Sequence, residues 1–334
     1  MNRLGLLGLV ACVLAACSHP QPQPPVSPLP AEPAEPVGKT APPPVPVPPE
    51  PPKLAAHDTA IDAPTTAVKL VSPGKGKRVV AKIAPAAGAR TAVELRVDFT
   101  ATQNGQTQPT PTLILRADAE TVSADKDGAQ YKLTVTGTDT RYASGVAKVP
   151  QLEAGLAGTV GMTLSGSVAG TGAAGKLALH HDAATPVSGE LMELFKVTWM
   201  PLWPALPTEA IAPGAKWQAV STFKLAGQID VTETVDYELV AYKDKTWTIK
   251  GVAKLAGKEQ TLEGAPVSDI SGTGTLDATL IDGALLPTTH GKLSAKFNVT
   301  PPGQQKLEFA LVLGNDVGAV GGQTSGAALA TPTK

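Results

Sequence analysis

The sequence predicts an all-β, mainly antiparallel fold: one large curved sheet, half-barrel or barrel-like, carrying one or two short helices. Three observations carry this. Apolar residues recur with a period of two through most of the chain, pairs of turn-forming residues separate the alternating runs, and helical periodicity is scarce. Val93, Leu95, Val97 and Phe99 alternate with Glu94, Arg96 and Asp98, and Tyr131, Leu133 and Val135 alternate with Lys132 and Thr134. Trp247, Ile249 and Gly251, then Leu293 to Val299, then Leu307 to Leu313 repeat the pattern. Asn104-Gly105, Asp127-Gly128 and Asp282-Gly283 supply turn chemistry with φ > 0. Alternation of this kind suits antiparallel strands with one buried and one wet face.

At the amino terminus, Asn2 and Arg3 precede an apolar run from Leu4 to Ala16 that ends in Leu14-Ala15-Ala16-Cys17. A charged start, a short apolar core and small residues before a cleavage point describe a secretory signal peptide over 1–16. The run is shorter than the roughly 20 apolar residues that cross a bilayer. Leu-Ala-Ala-Cys resembles the lipobox of bacterial exported lipoproteins. That resemblance implies cleavage before Cys17, a thioether-linked diacylglycerol and an acylated amino terminus. Cys17 is then a lipid anchor, and multiple acyl chains hold stably where one holds marginally. Ser18 follows the anchor where Asp would signal retention, which by resemblance to Gram-negative lipoproteins implies outer-membrane sorting. The only other cysteine, Cys12, falls in the removed segment, so the mature chain has no disulfide and relies on a core.

Residues 17–65 read as the lipidated cysteine followed by a proline-rich, disordered stalk, with Pro42-Pro43-Pro44 and Pro48-Pro49-Glu50-Pro51-Pro52 at its densest. Polyproline II at about 3.1 Å per residue makes this a semi-rigid spacer on the order of 100 Å, or a tether whose reach is immaterial. Residues 66–316 form the antiparallel β domain, and 317–334, rich in Gly, Ala, Ser and Thr, read as a disordered tail.

Within the β domain the best helix starts at Thr185-Pro186, a cap with proline at the first helical position, and places Val187, Leu191, Leu194 and Phe195 on one stripe before Pro201. A second, weaker helix follows Pro150. Helices so placed are expected to cover an open barrel end or a concave face. An internal echo joins Pro73-Gly74-Lys75, with a strand through Arg78, Val80 and Lys82, to Pro213-Gly214-Ala215-Lys216, with a strand through Trp217, Ala219 and Ser221. Duplicated halves are one reading of the echo, and chance similarity of Gly and Pro punctuation is the other.

Trp203-Pro204-Ala205-Leu206-Pro207, Ala212-Pro213-Gly214-Ala215-Lys216-Trp217, Gly272-Thr273-Gly274 and Leu286-Pro287 resemble an uncharacterised family of bacterial exported all-β proteins with a Leu-Pro, then Pro-Gly-x-x-Trp signature. The resemblance implies an exported β domain and supplies no active-site residues. Trp217, after a Pro-Gly turn, reads as an anchor that plugs a barrel end or covers a core. Stacking on a ligand is the alternative role for Trp199, Trp203 and Trp217.

Chemistry-bearing motifs are few. Gly170-Thr171-Gly172-Ala173-Ala174-Gly175-Lys176 satisfies GxGxxG and nearly a P-loop, but Leu177 stands where Ser or Thr would hold magnesium and a strand follows where a helix is needed. A hairpin loop is expected there, and no nucleotide. His180 and His181 are adjacent, so on a strand they face opposite ways and do not share one ion. No metal and no cofactor is expected. GxSxG, HExxH and a mature cysteine nucleophile are missing from the sequence, and Asp269, Asp277 and Asp282 are scattered, so no catalytic residue is expected. A net charge of -1 and a pI near 6.5 without a basic stripe argue against nucleic acid.

The sequence therefore expects a membrane-anchored envelope protein with a non-catalytic structural or protein-binding role, its partner an envelope protein or peptidoglycan. Alternatives are a carrier holding a lipid or other hydrophobic ligand in the curved sheet, and an envelope enzyme of unrecognised type. Aromatics make up only 4% of the chain, and many inward positions are Ala or Gly. Such residues either leave a cavity or bring two sheets together.

Overall fold

The computed structural model describes residues 53–108, 110–199, 202–225, 228–262 and 264–320. Cys17, the segment 1–16 read as a signal peptide, most of the proline-rich segment and residues 321–334 lie outside these residues. The structure is mostly antiparallel β: 15 strands join in a single open, curved sheet, with two short helices among the described residues. No described helix is long and apolar enough to cross a membrane.

The strands run β1 (Ala55–Ile61), β2 (Thr65–Ser72), β3 (Arg90–Gln103), β4 (Gln106–Gln108), β5 (Thr112–Ala124), β6 (Gly128–Arg141), β7 (Thr163–Ala169) and β8 (Leu177–Ala184). They continue as β9 (Lys216–Leu225), β10 (Ile229–Lys243), β11 (Thr246–Ala256), β12 (Gln260–Leu262), β13 (Ala265–Ile281), β14 (Thr288–Val299) and β15 (Leu307–Ala319). Helix α1 spans Pro150–Ala157 and α2 spans Pro186–Trp199. Two meanders make the sheet, β3-β5-β6-β7-β8 and β9-β10-β11-β13-β14-β15, and they join where β15 pairs with β3. The short β4 and β12 flank β3 and β13.

Strand β1 pairs with β8 at one edge of this sheet and β2 pairs with β9 at the other. Only Asp62, Ala63 and Pro64 lie between them, a link that spans at most ~14 Å. The sheet therefore curls until one extended segment straddles the gap between its edges, and the curl gives it a concave inner face.

The first strand falls inside the segment read from sequence as stalk. Proline is absent from Lys53 to Ala63, so the backbone donors needed for pairing are present, and His57, Thr59 and Ile61 take the inward alternate positions. His57 is thus a strand residue rather than a linker residue. At the other end β15 continues to Ala319, past the expected boundary at 316, because Val317 is buried opposite Thr289 and Leu95.

The echo does not mark equivalent elements. Ala81 and Ile83 are buried and alternate with exposed Val80 and Lys82, but between Pro73 and Ala89 only Val79 bridges, to Ile211. The two Pro-Gly turns instead lie against each other. Lys75 N donates to Pro213 O, and a Cβ on Gly74, whose φ is +78°, would sit 2.2 Å from Ala212 O. The two meanders also differ: α1 lies within the first, α2 sits in the connection between them, and no described helix lies within the second.

Turn chemistry follows the sequence at Asn104-Gly105 and Gly283, which have positive φ. Asp127-Gly128 works differently: the Asp125 carboxylate accepts from the amides of Asp127 at 2.7 Å and Gly128 at 3.0 Å, so a side chain closes the turn. The α2 start is capped as its sequence implies, Thr185 Oγ1 accepting from Ser188 N at 3.1 Å while Ser188 Oγ accepts from Thr185 N at 2.8 Å.

Candidate functional site

One side of the concave face is closed by aromatic residues. Trp217 stacks on Tyr237 at 5.4 Å, Tyr242 on Trp247 at 4.0 Å, and Tyr131 meets Trp203 at 5.2 Å. Each indole N–H has a partner, as burial requires: Trp203 donates to Leu285 O at 2.9 Å, Trp217 to Ala205 O at 2.6 Å and Trp247 to Asp282 Oδ1 at 2.6 Å. Burial also pushes the phenols of Tyr131 and Tyr237 well above their ordinary range. Trp203 and Trp217 are 5% and 1% exposed, so both sit in the closed core as anchors. Trp199 is the last residue of α2, and its side chain lies outside the described set.

The segment carrying the Leu-Pro signature is a buried loop, residues 202–207 being buried throughout. Pro204 and Pro207 bring no amide donors to satisfy, and Leu206 N donates to Thr171 O at 2.7 Å. The glycine-rich Gly170–Lys176 stretch is the seat for this loop. It joins β7 to β8, and a Cβ on Gly172, where φ is +79°, would sit 2.2 Å from Pro204 O. Close backbone approach accounts for the glycine without a phosphate.

Register places the inward side chains of the second meander in rows. One row runs Ser221, Glu233, Leu255, Gly272, Ala295, Leu311 and Ala101, and the next runs Ala219, Val235, Ala253, Gly274, Leu293, Leu313 and Phe99. On one side the rows meet the main core, which contains Trp217, Tyr237 and Ile249. On the other they meet a second apolar cluster built on Leu225, Val231, Ile270, Phe297 and Phe309, which takes in Leu255 and Ala295 from the first row, as the main core takes in Ala219, Val235 and Ala253 from the second. Between these closed clusters Phe99, Leu276, Leu293, Leu311 and Leu313 are only half-buried. Both helices make their main packing contacts with each other and with β1, β6 and β8, so no helix layer covers this stretch. The small inward residues thus leave open surface on a single sheet rather than drawing a second sheet close.

Glu233 interrupts that surface. In β3 and β9–β15 every other charged side chain occupies an outward alternate position or a bulge. Among the described residues no cation or hydrogen-bond donor meets the Glu233 carboxylate, and burial raises its pKa above the ordinary value. On the same face the Thr289 hydroxyl, 3% exposed, also has no partner among the described residues.

Most of the remaining polar groups are paired with one another. His180 Nδ1 meets Asp58 at 2.6 Å and its Nε2 meets Asp182 at 2.9 Å, which raises the His180 pKa through both hydrogen bonds. His181 turns inward, its Nε2 on Val160 O at 2.9 Å, so adjacent histidines do face apart. His290 pairs with Asp316. Asp282 serves Trp247 and Tyr242, and Asp277 lies 3.9 Å from Lys250. Asp269 sits in a β13 bulge with φ +54° and accepts from Asn298. It borders an open hollow of about 440 Å³ whose rim also includes Thr102, Lys296 and Glu308. Among the described residues no three or more His, Cys, Asp or Glu side chains are grouped to hold a metal.

No protein-family model, curated protein or solved structure matches this chain.

Sequence reasoning passed over Glu233 although the signal was present. Val231, Val235, Tyr237 and Leu239 alternate with outward polar residues, and Glu233 occupies an inward place in that series.

Proposed function

We propose that this chain is a lipid-anchored, non-catalytic binding protein of the cell envelope that takes an apolar ligand along the inner face of its curved sheet. The observation that carries this reading is the half-buried apolar stretch of Phe99, Leu276, Leu293, Leu311 and Leu313. It lies between two closed clusters and beyond the reach of both helices. An apolar surface of this kind gains about 25 cal/mol for each Å² that a ligand removes from water. The anchor rests on the lipobox at Cys17, and Ser18 favours the outer membrane.

The test is native mass spectrometry with solvent extraction on the chain from Ser18 onward, exported behind a cleavable leader and purified without detergent. A stoichiometric adduct that extracts as lipid is expected. Protein that emerges free and takes up no lipid from vesicles contradicts the reading. Anchoring is tested separately with Cys17→Ser, which is expected to leave the membrane fraction.

A structural or protein-binding role is favoured by a different feature. β2 is an edge strand whose Val68 and Val71 are 37% and 68% exposed, a surface open to strand addition.

A further inference from the structure

The inner face of the second meander is apolar or small at nearly every position, and Glu233 is the one carboxylate on it. Its neighbours across the strands are Ser221 on β9 and Leu255 on β11. Ser221 is already engaged, its hydroxyl 2.9 Å from that of Thr66. Glu233 therefore stands at the border between a polar pair and an apolar row in which Leu255 and Ala295 are closed into the second cluster while Gly272 and Leu311 stay half-buried. Gly272 keeps this row low, because a Cβ there would lie 2.5 Å from Ser294 O and 3.2 Å from the Leu255 Cβ. From β10 to β15 the row crosses four strand spacings, ~19 Å at about 4.8 Å each.

We propose that Glu233 is the headgroup contact of this face, and that the ligand is an amphiphile bearing an ammonium group whose hydrocarbon chain runs over Gly272 and Gly274 toward half-buried Leu293 and Leu311. This rests on the apolar-ligand reading above and adds the chemistry of the head. A half-buried carboxylate that meets no partner among the described residues is costly, and a cation at hydrogen-bonding distance offsets that cost more fully than a neutral donor does. A carboxylate headgroup would meet like charge. Desolvation by burial already raises the Glu233 pKa, as expected for an acid taken out of water. The outward carboxylates carry no such burden, since they are solvated or paired: Asp230 faces Lys224 at 2.6 Å, Asp316 meets His290 and Glu94 meets Arg96 and Arg116.

The experiment titrates the chain from Ser18 onward, and its Glu233→Gln and Glu238→Gln variants, with dodecylammonium, dodecanol and dodecanoate below their micellar concentrations. Glu238 lies on the same strand but faces outward, so its variant reports general surface attraction. Wild type is expected to bind dodecylammonium about tenfold more tightly than dodecanol, and dodecanoate most weakly. Glu233→Gln is expected to remove the preference by weakening dodecylammonium about tenfold relative to dodecanol, and Glu238→Gln to keep it. Equal wild-type affinity for ammonium and alcohol overturns the headgroup assignment and leaves the apolar-ligand reading standing. The same holds if the preference survives in Glu233→Gln or falls equally in Glu238→Gln. Failure of wild type to bind any of the three overturns both.

Discussion

Replacing Trp217 separates the packing of the aromatic layer from its hydrogen bonding. Trp217 is 1% exposed, stacks on Tyr237 with a 15° interplanar angle, and donates to Ala205 O at 2.6 Å. Trp217→Ala removes all three contributions and leaves a cavity beneath β2 and β10, at a cost of about 4 kcal/mol. Trp217→Phe keeps a ring for Tyr237 and most of the buried area but loses the N–H donor, a cost of about 1–2 kcal/mol. With a urea m-value of about 3 kcal/mol/M for a domain of this size, the Ala variant should lose more than ~1 M in unfolding midpoint and the Phe variant ~0.5 M. Far-UV circular dichroism of the chain from Ser18 onward in urea reads both. An Ala midpoint equal to wild type would remove Trp217 from the core. A Phe variant as weak as the Ala variant would refute the division between packing and hydrogen bond.

Three further outcomes follow from named contacts. Burial raises the folded-state pKa of Glu233 above its ordinary 4.5, so the folded chain keeps a proton that the unfolded chain has released. Stability therefore falls as pH rises from 4.5 through the folded-state value, and the penalty persists above it. Thermal melts of Glu233→Gln should show Tm about 2–4 °C above wild type at pH 7 and no difference well below the unfolded value; an equal gain at both pH values contradicts the desolvated carboxylate. Gly172→Ala forces a side chain at φ +79° into Pro204 O and should cost about 3 kcal/mol in urea unfolding, whereas a neutral result would release the 202–207 loop from its seat. The His180 pKa is raised by Asp58 and Asp182, so its contribution to β1–β8 pairing is present below 6.5, the ordinary histidine value, and is lost as pH rises through the folded value. Amide exchange in β1 should accelerate over that window in wild type and lose the dependence in His180→Gln.

The strands whose apolar residues alternate cleanly were legible in the sequence because one face of each is buried and the other wet. Thus Val93 to Phe99 and Leu293 to Val299 fall in β3 and β14. The cap and proline at Thr185-Pro186 marked α2 for the same local reason. The strand β1 was not legible, since an Ala-rich stretch beside prolines has little intrinsic strand preference and is held by pairing with a segment 122 residues away, as at Asp58 and His180. Residues 79–83 alternate without joining the sheet, because Ala81 and Ile83 find their burial in the core. Periodicity reports burial and not which partner provides it. The candidate site was obscured in the same way. Alternation assigned Glu233 to a face, but only the curl of the sheet and the two-cluster core give that face its meaning.

Labelling with a diazirine-bearing alkyl chain tests the inner-face account most directly. The chain from Ser18 onward is irradiated with the probe bound, and the modified peptides are mapped. The account predicts labels on the β3, β13, β14 and β15 peptides that carry Phe99, Leu276, Leu293 and Leu313. Labels confined to the β2 edge at Val68 and Val71, or no saturable labelling, would contradict it.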